Sequence, residues 1–172
     1  MNHVKGETVV YGANGVCTIQ EITEISFFNE RPKKYYVLKP LFNKQAAVLY
    51  VPFDNEEMTS RMKPVISRDE AMILISSVDE KTIEWIDDKN VRKSMFNKII
   101  SSGTREEIIA LIRLINQRRD ELSAEGKRLN MQDEKALAEA ERRMNAEIAV
   151  ALNIEPDKVA ELFQEEAQKR LA

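Results

Sequence analysis

The spacing of apolar residues changes period at Ser67, and that change constrains the fold more than any other feature of the 172-residue sequence. Ahead of it, short β-branched and aromatic runs follow a period of two, the pattern of half-buried strands. Such runs occupy residues 7–11, 17–25, 35–41 and 46–52. Between the first two, Asn14-Gly15 predicts a tight turn because both residues tolerate positive φ. Ile19, Ile22 and Ile25 alternate imperfectly, which permits a bend or bulge in the second run. Residues 29–34, Asn-Glu-Arg-Pro-Lys-Lys, form a turn-like cluster, and Pro52 stops the last run because it has no N–H to donate. Four or five short strands joined by short turns predict a small antiparallel β barrel.

After Ser67 the period is helical. Ser67-Arg68-Asp69-Glu70 is a capping box, followed by Ala71, Leu74, Ile75 and Val78 at helical spacing. Thr104-Arg105-Glu106-Glu107 repeats the device ahead of Ile108, Leu111, Ile112 and Ile115. Asp133 is expected to cap a third helix with the stripe Leu137, Ala140, Met144, Ile148 and Leu152. Pro156 opens a last one with Val159, Leu162 and Phe163 on one face. Gly103 and Gly126 punctuate the helices. Strands followed by helices, with no repeat, predict an α+β chain of two modules, a barrel over residues 1–62 and an all-α domain over residues 63–172. A single α+β unit is the alternative.

The chemistry-bearing residues are few. Cys17 and His3 are the only cysteine and histidine, so an internal disulfide and a Cys/His zinc cluster are ruled out. Cys17 alternates with apolar neighbours and is expected to pack as a small buried side chain. Gly12-Ala13-Asn14-Gly15 has no following Lys-Ser/Thr and precedes a strand, so it is not a phosphate-binding loop. No nucleophile elbow occurs, and one histidine leaves no usual base for a serine or cysteine nucleophile. These absences predict a protein that is not an enzyme, without cofactor or metal. No apolar run is long enough to cross a bilayer and the first residues do not read as a signal peptide, so no membrane partner and a cytoplasmic location are expected.

The formal charge of −3 hides a local asymmetry. Residues 89–119 carry eight Lys/Arg against two Glu, enough for a phosphate-binding surface. Just ahead of this stretch, in Lys-Thr-Ile-Glu-Trp-Ile-Asp-Asp, stands Trp85, the only tryptophan. Composition alone favours a core or domain-interface anchor for it. Asp87 and Asp88 are expected to begin a helix, where acidic groups favour the positive end of the dipole.

Several segments in one order resemble the CarD/CdnL transcription regulators. The opening KGETVVYGANGVCTI is similar to that family's first strand and Gly-Val turn, and YYVLKP and VLYVPFDN to its next two blocks. WIDDKNVRK, IISSGTREEIIALIR and the run from QRRDELSAEGKRL to DEKALAEAERRMNAEIAVAL resemble its helical half. The resemblance extends to about residue 165. It implies a Tudor-like, SH3-like barrel that docks on the β subunit of bacterial RNA polymerase, and a helical domain that contacts promoter DNA.

In the family a tryptophan wedges into the minor groove at the edge of the transcription bubble and favours the open complex; Trp85 is its counterpart here. Lys89, Arg92, Lys93 and Lys98 are the expected phosphate contacts, joined by Arg118, Arg119, Lys127 and Arg128 around the loop after the next helix. Such contacts position a protein without reading sequence. The positions that grip polymerase through arginines in some members fall near Ile25 and Tyr50. Docking is therefore expected to use apolar and backbone contacts at Ile25, Ser26, Tyr36, Leu49 and Tyr50, by strand addition at a barrel edge. The resemblance thus implies association with the nucleoid through RNA polymerase. A monomer is the expected state, with a strand-exchanged dimer as the alternative. The rival function is a protein–protein adaptor whose helical half is a second docking or dimer surface without DNA.

Overall fold

The structure, a computed structural model, describes residues 2–76 and 82–171. The chain divides into two compact units, Met1–Ile66 and Ser67–Ala172. Val78, expected in the stripe of the first long helix, lies outside the described residues.

The first unit is a five-stranded antiparallel sheet. Its strands are β1 (Thr8–Tyr11), β2 (Val16–Ile25), β3 (Lys33–Pro40), β4 (Leu49–Pro52) and β5 (Met62–Pro64), with a short helix α1 (Glu56–Ser60) before the last. The spatial order is β4-β3-β2-β1-β5. Val9, Tyr11, Cys17, Ile19, Tyr36, Leu38, Val51 and Met62 form one buried cluster. The two edge strands, β4 and β5, thus feed the same core, so the sheet curls around it. Helix α1 touches both edges, and Asn55 caps it by accepting from the Met58 N–H.

The irregular spacing of isoleucines in β2 has a geometric cause. Pairing with β3 passes from Ile19–Leu38 to Glu21–Val37, leaving Gln20 as an extra, bulged residue. The bulge resets the alternation, so Ile19 and Ile22, three residues apart, both pack on the core. The β1–β2 connection is a 3-10 turn, Gly12–Asn14, with positive φ at Gly12 and Gly15. Asn14, expected at positive φ, is not among the positive-φ residues.

The β2–β3 hairpin turns earlier than expected. The Glu30 N–H donates to the Phe27 carbonyl at 2.9 Å, and Phe28 and Asn29 between them have φ of 48° and 62°. Positive φ at both central residues is the type I′ pattern, which normally selects glycine or asparagine. Strand β5 was not expected, because three residues ending in proline carry almost no strand signal. Proline is tolerated there because β5 is an edge.

The second unit contains α2 (Arg68–Ser76), α3 (Lys89–Ser102), α4 (Arg105–Ala124), α5 (Met131–Leu152) and α6 (Pro156–Leu171). Helix α5 is central and packs against each of the other four. Its stripe Leu137, Ala140, Met144, Ile148 and Leu152 is buried, as the periodicity predicts. Both capping boxes form, Ser67 with Glu70 and Thr104 with Glu107. The cap of α5 differs from expectation: Asn130 accepts from the Asp133 N–H at 2.8 Å, which places Asp133 inside the first turn with its carboxylate available for other work. Gly103 ends α3 where a Cβ would sit 2.5 Å from the Ile99 carbonyl oxygen, too close for any other residue without a shift.

Candidate functional site

The segment bearing Trp85 runs directly into α3, and Asp88 makes the join. Its carboxylate accepts from the N–H groups of Asn90 and Val91 at 2.9 and 3.0 Å, the geometry of an N-cap. The side chain of one of the two aspartates is thereby turned onto its own helix. Asp87 is exposed, and its carbonyl serves a different partner.

That partner is Arg92, one turn into α3. Its Nε and Nη2 donate to the two carboxylate oxygens of Asp133, each at 2.9 Å. Its Nη1 donates to the carbonyls of Ile86 at 2.8 Å and Asp87 at 3.1 Å. Arg92 and Asp133 are 5% and 4% exposed. A bidentate pair this deep is held by geometry, since desolvation offsets most of its Coulombic gain. Removing either partner leaves a buried charge uncompensated, at about 3–5 kcal/mol. Arg92 was expected on phosphates. It is instead an interior residue, with its donors committed within the protein.

The guanidinium of Arg92 also lies 4.5 Å from the centre of the Trp85 ring, within cation–π range. Arg118, from α4, lies 5.5 Å from the same centre, and Phe96 meets the indole edge-on at 6.0 Å. Trp85 is therefore partly buried, neither a core residue nor a free one. Arg118 makes a 3.4 Å ion pair with Glu121, and its Nε is buried with no hydrogen-bond partner.

The other expected phosphate contacts do not form one patch. Lys89 and Lys93 are exposed and one turn apart on α3. Lys98 is also exposed, but nine residues from Lys89 is about half a turn round the helix. Arg119 donates to Asn116 at 2.7 Å, Lys127 pairs with Glu125 at 3.3 Å, and Arg128 is exposed in the α4–α5 connection. One cation was missed: Lys135 on α5 lines a groove of about 470 Å³ with Lys93, Phe96 and Met131.

In the first unit the five expected docking residues also separate. Tyr36 is buried and stacks on Phe53 with ring centres 4.0 Å apart. It is a core residue, so its ring is not a docking surface. Leu49 packs against the same core, and Ile25 is partly buried. Ser26 is exposed at the hairpin, and Tyr50 is exposed on edge strand β4. Around Tyr50 lies an edge-to-face trio, with Phe27 at 5.4 Å from both Tyr50 and Tyr35. Phe28, next to it at the hairpin tip, is 96% exposed. Sequence reading missed Phe28; an aromatic pair followed by asparagine ahead of a proline was the only signal.

Residues 4–66 match the family model for the CarD-like/TRCF RID domain. The first unit is a CarD-like/TRCF RID domain. The match agrees with the resemblance to CarD/CdnL regulators and points to an RNA polymerase-binding transcription factor. The RID domain ends at the residue where the first structural unit ends. The helical unit lies outside the matched residues, so its role rests on its own geometry. No curated protein matches the chain. No helix among the described residues is long and apolar enough to cross a membrane.

Proposed function

We propose that the protein is a non-enzymatic transcription regulator that docks on the β subunit of RNA polymerase through its RID domain. Its helical unit then stabilises the promoter open complex through Trp85. The observation that carries the docking half is the RID match over residues 4–66. Strand β4, open on one side, supplies an edge for strand addition, and Ile25, Ser26, Leu49, Tyr50 and Phe28 supply apolar and polar contacts beside it.

The DNA half rests on Trp85 being partly exposed, with Lys89 and Lys93 exposed on the helix that follows it. An indole wedged at a bubble edge meets bases already unstacked, which costs less than kinking an intact duplex. Lys89 and Lys93 hold neighbouring phosphates, with Lys98, Arg118, Arg119, Lys127 and Arg128 contributing a more diffuse positive field. Binding is salt-sensitive and nearly blind to sequence. A preference of about 1.4 kcal/mol for melted over duplex DNA shifts open-complex occupancy tenfold.

The contact of Trp85 with Phe96 and the interior position of Arg92 favour a second reading, in which Trp85 anchors the helical unit of a protein–protein adaptor. One measurement separates the two. Trp85→Ala shortens the lifetime of polymerase–promoter open complexes while leaving binding to the isolated β subunit and helical content intact. An unchanged lifetime with a folded variant refutes the wedge, and loss of folding identifies an anchor.

A further inference from the structure

We infer that Asp133 is a positioning residue: acting through Arg92, it fixes the orientation of the Trp85 indole. The functional consequence rests on the reading of Trp85 as a DNA wedge, whereas the orientation itself is measurable without DNA. Trp85 lies ahead of α3, in a segment with no regular secondary structure. No helical or sheet hydrogen bonding therefore sets the course of that segment.

Arg92 provides the constraint instead. Its guanidinium is a rigid plane with three distinct duties. One edge is forked onto Asp133, Nη1 reaches the carbonyls of the two residues after Trp85, and the plane lies over the indole. A lysine would offer a point charge on a flexible stem and would not reproduce the fork. The carboxylate that orients this plane comes from α5, 41 residues on in the sequence. It is available because Asn130 has taken over the capping of that helix. Arg118, the other guanidinium over the ring, makes no comparable fork among the described residues: its partner is Glu121 at 3.4 Å. A ring ordered in advance loses less freedom on meeting DNA, so the ion pair prepares the wedge in the free protein.

The test uses the full-length protein and four variants: Asp133→Asn, Arg92→Lys, Trp85→Ala and the double variant Asp133→Asn/Trp85→Ala. Trp85 is the only tryptophan, so its emission reports on this site alone. Asp133→Asn and Arg92→Lys are expected to shift the emission to the red and to raise its quenching by acrylamide, with far-UV circular dichroism preserved. Asp133→Asn is also expected to shorten open-complex lifetime severalfold, with no further shortening in the Trp85→Ala background. Should Asp133→Asn fail to fold, Arg92→Lys, which keeps the buried charge, carries the comparison. Unchanged emission and quenching in folded variants overturn the proposal, as does an equal shortening by Asp133→Asn with and without Trp85. An unchanged lifetime in Trp85→Ala refutes the wedge alone, and the fluorescence comparison still decides the positioning.

Discussion

Replacing Asp88 separates two roles that a carboxylate at the start of a helix proposed to contact DNA is able to play. Its side chain accepts from two N–H groups at 2.9 and 3.0 Å, at an exposed helix start. Loss of an N-cap side chain to alanine costs about 1 kcal/mol, and serine recovers most of it because its hydroxyl accepts the same bonds. The favourable term between the carboxylate and the helix dipole is small at an exposed site, about 0.3 kcal/mol, and serine forfeits only that. For a unit of roughly 100 residues, 1 kcal/mol lowers the melting midpoint by about 4 °C or slightly more. Asp88→Ala is thus expected to melt several degrees below the parent, and Asp88→Ser close to it, followed by far-UV circular dichroism. Both remove one negative charge near Lys89, so under the proposed DNA-binding role both are expected to strengthen binding to duplex DNA at low salt. Equal stability of Asp88→Ala and the parent refutes the capping argument, as does Asp88→Ser melting as low as Asp88→Ala.

In the RID domain, Tyr36→Ala removes a buried ring and is expected to cost about 3–5 kcal/mol in denaturant unfolding. Tyr50→Ala is expected to cost about 1 kcal/mol through its aromatic contacts and, under the proposed docking role, to weaken binding to the polymerase β subunit, measured by calorimetry. Burial pushes the Cys17 thiol up to about 11, so in the native protein it resists alkylation at mildly alkaline pH and reacts once guanidinium unfolds the chain. Because its folded value is raised, the stability tied to the neutral thiol is complete below the ordinary thiol range and is lost as pH rises through about 11.

The apolar periods made the strand-then-helix order legible, and the irregular isoleucines of β2 left room for the bulge it contains. The misses occurred where a long-range partner decided. Tyr35 and Tyr36 are adjacent, and alternation requires one to point inward; only the pairing with β2 and β4 shows that it is Tyr36. Asn130 and Asp133 are both good cap residues, and the choice follows from Arg92 taking the aspartate. Arg92 itself looked like one of several surface cations, because a sequence displays charge but not a partner 41 residues away. The hairpin tip was hidden for a local reason: Phe28 occupies a conformation that favours glycine, so Asn29 alone marked the turn.

Strand β5 has a consequence for how the RID domain is joined to other sequence. It pairs with β1 in the register Val9–Pro64, so the first and last strands of the module are immediate neighbours. Entry and exit therefore lie about 5 Å apart, one strand spacing. A module whose ends leave side by side fits into a break in an unrelated chain without prying that chain open. The docking function can thus travel as a cassette, carried by whatever protein needs to be brought to the polymerase, provided that the cassette runs through Ile66 and keeps its closing strand.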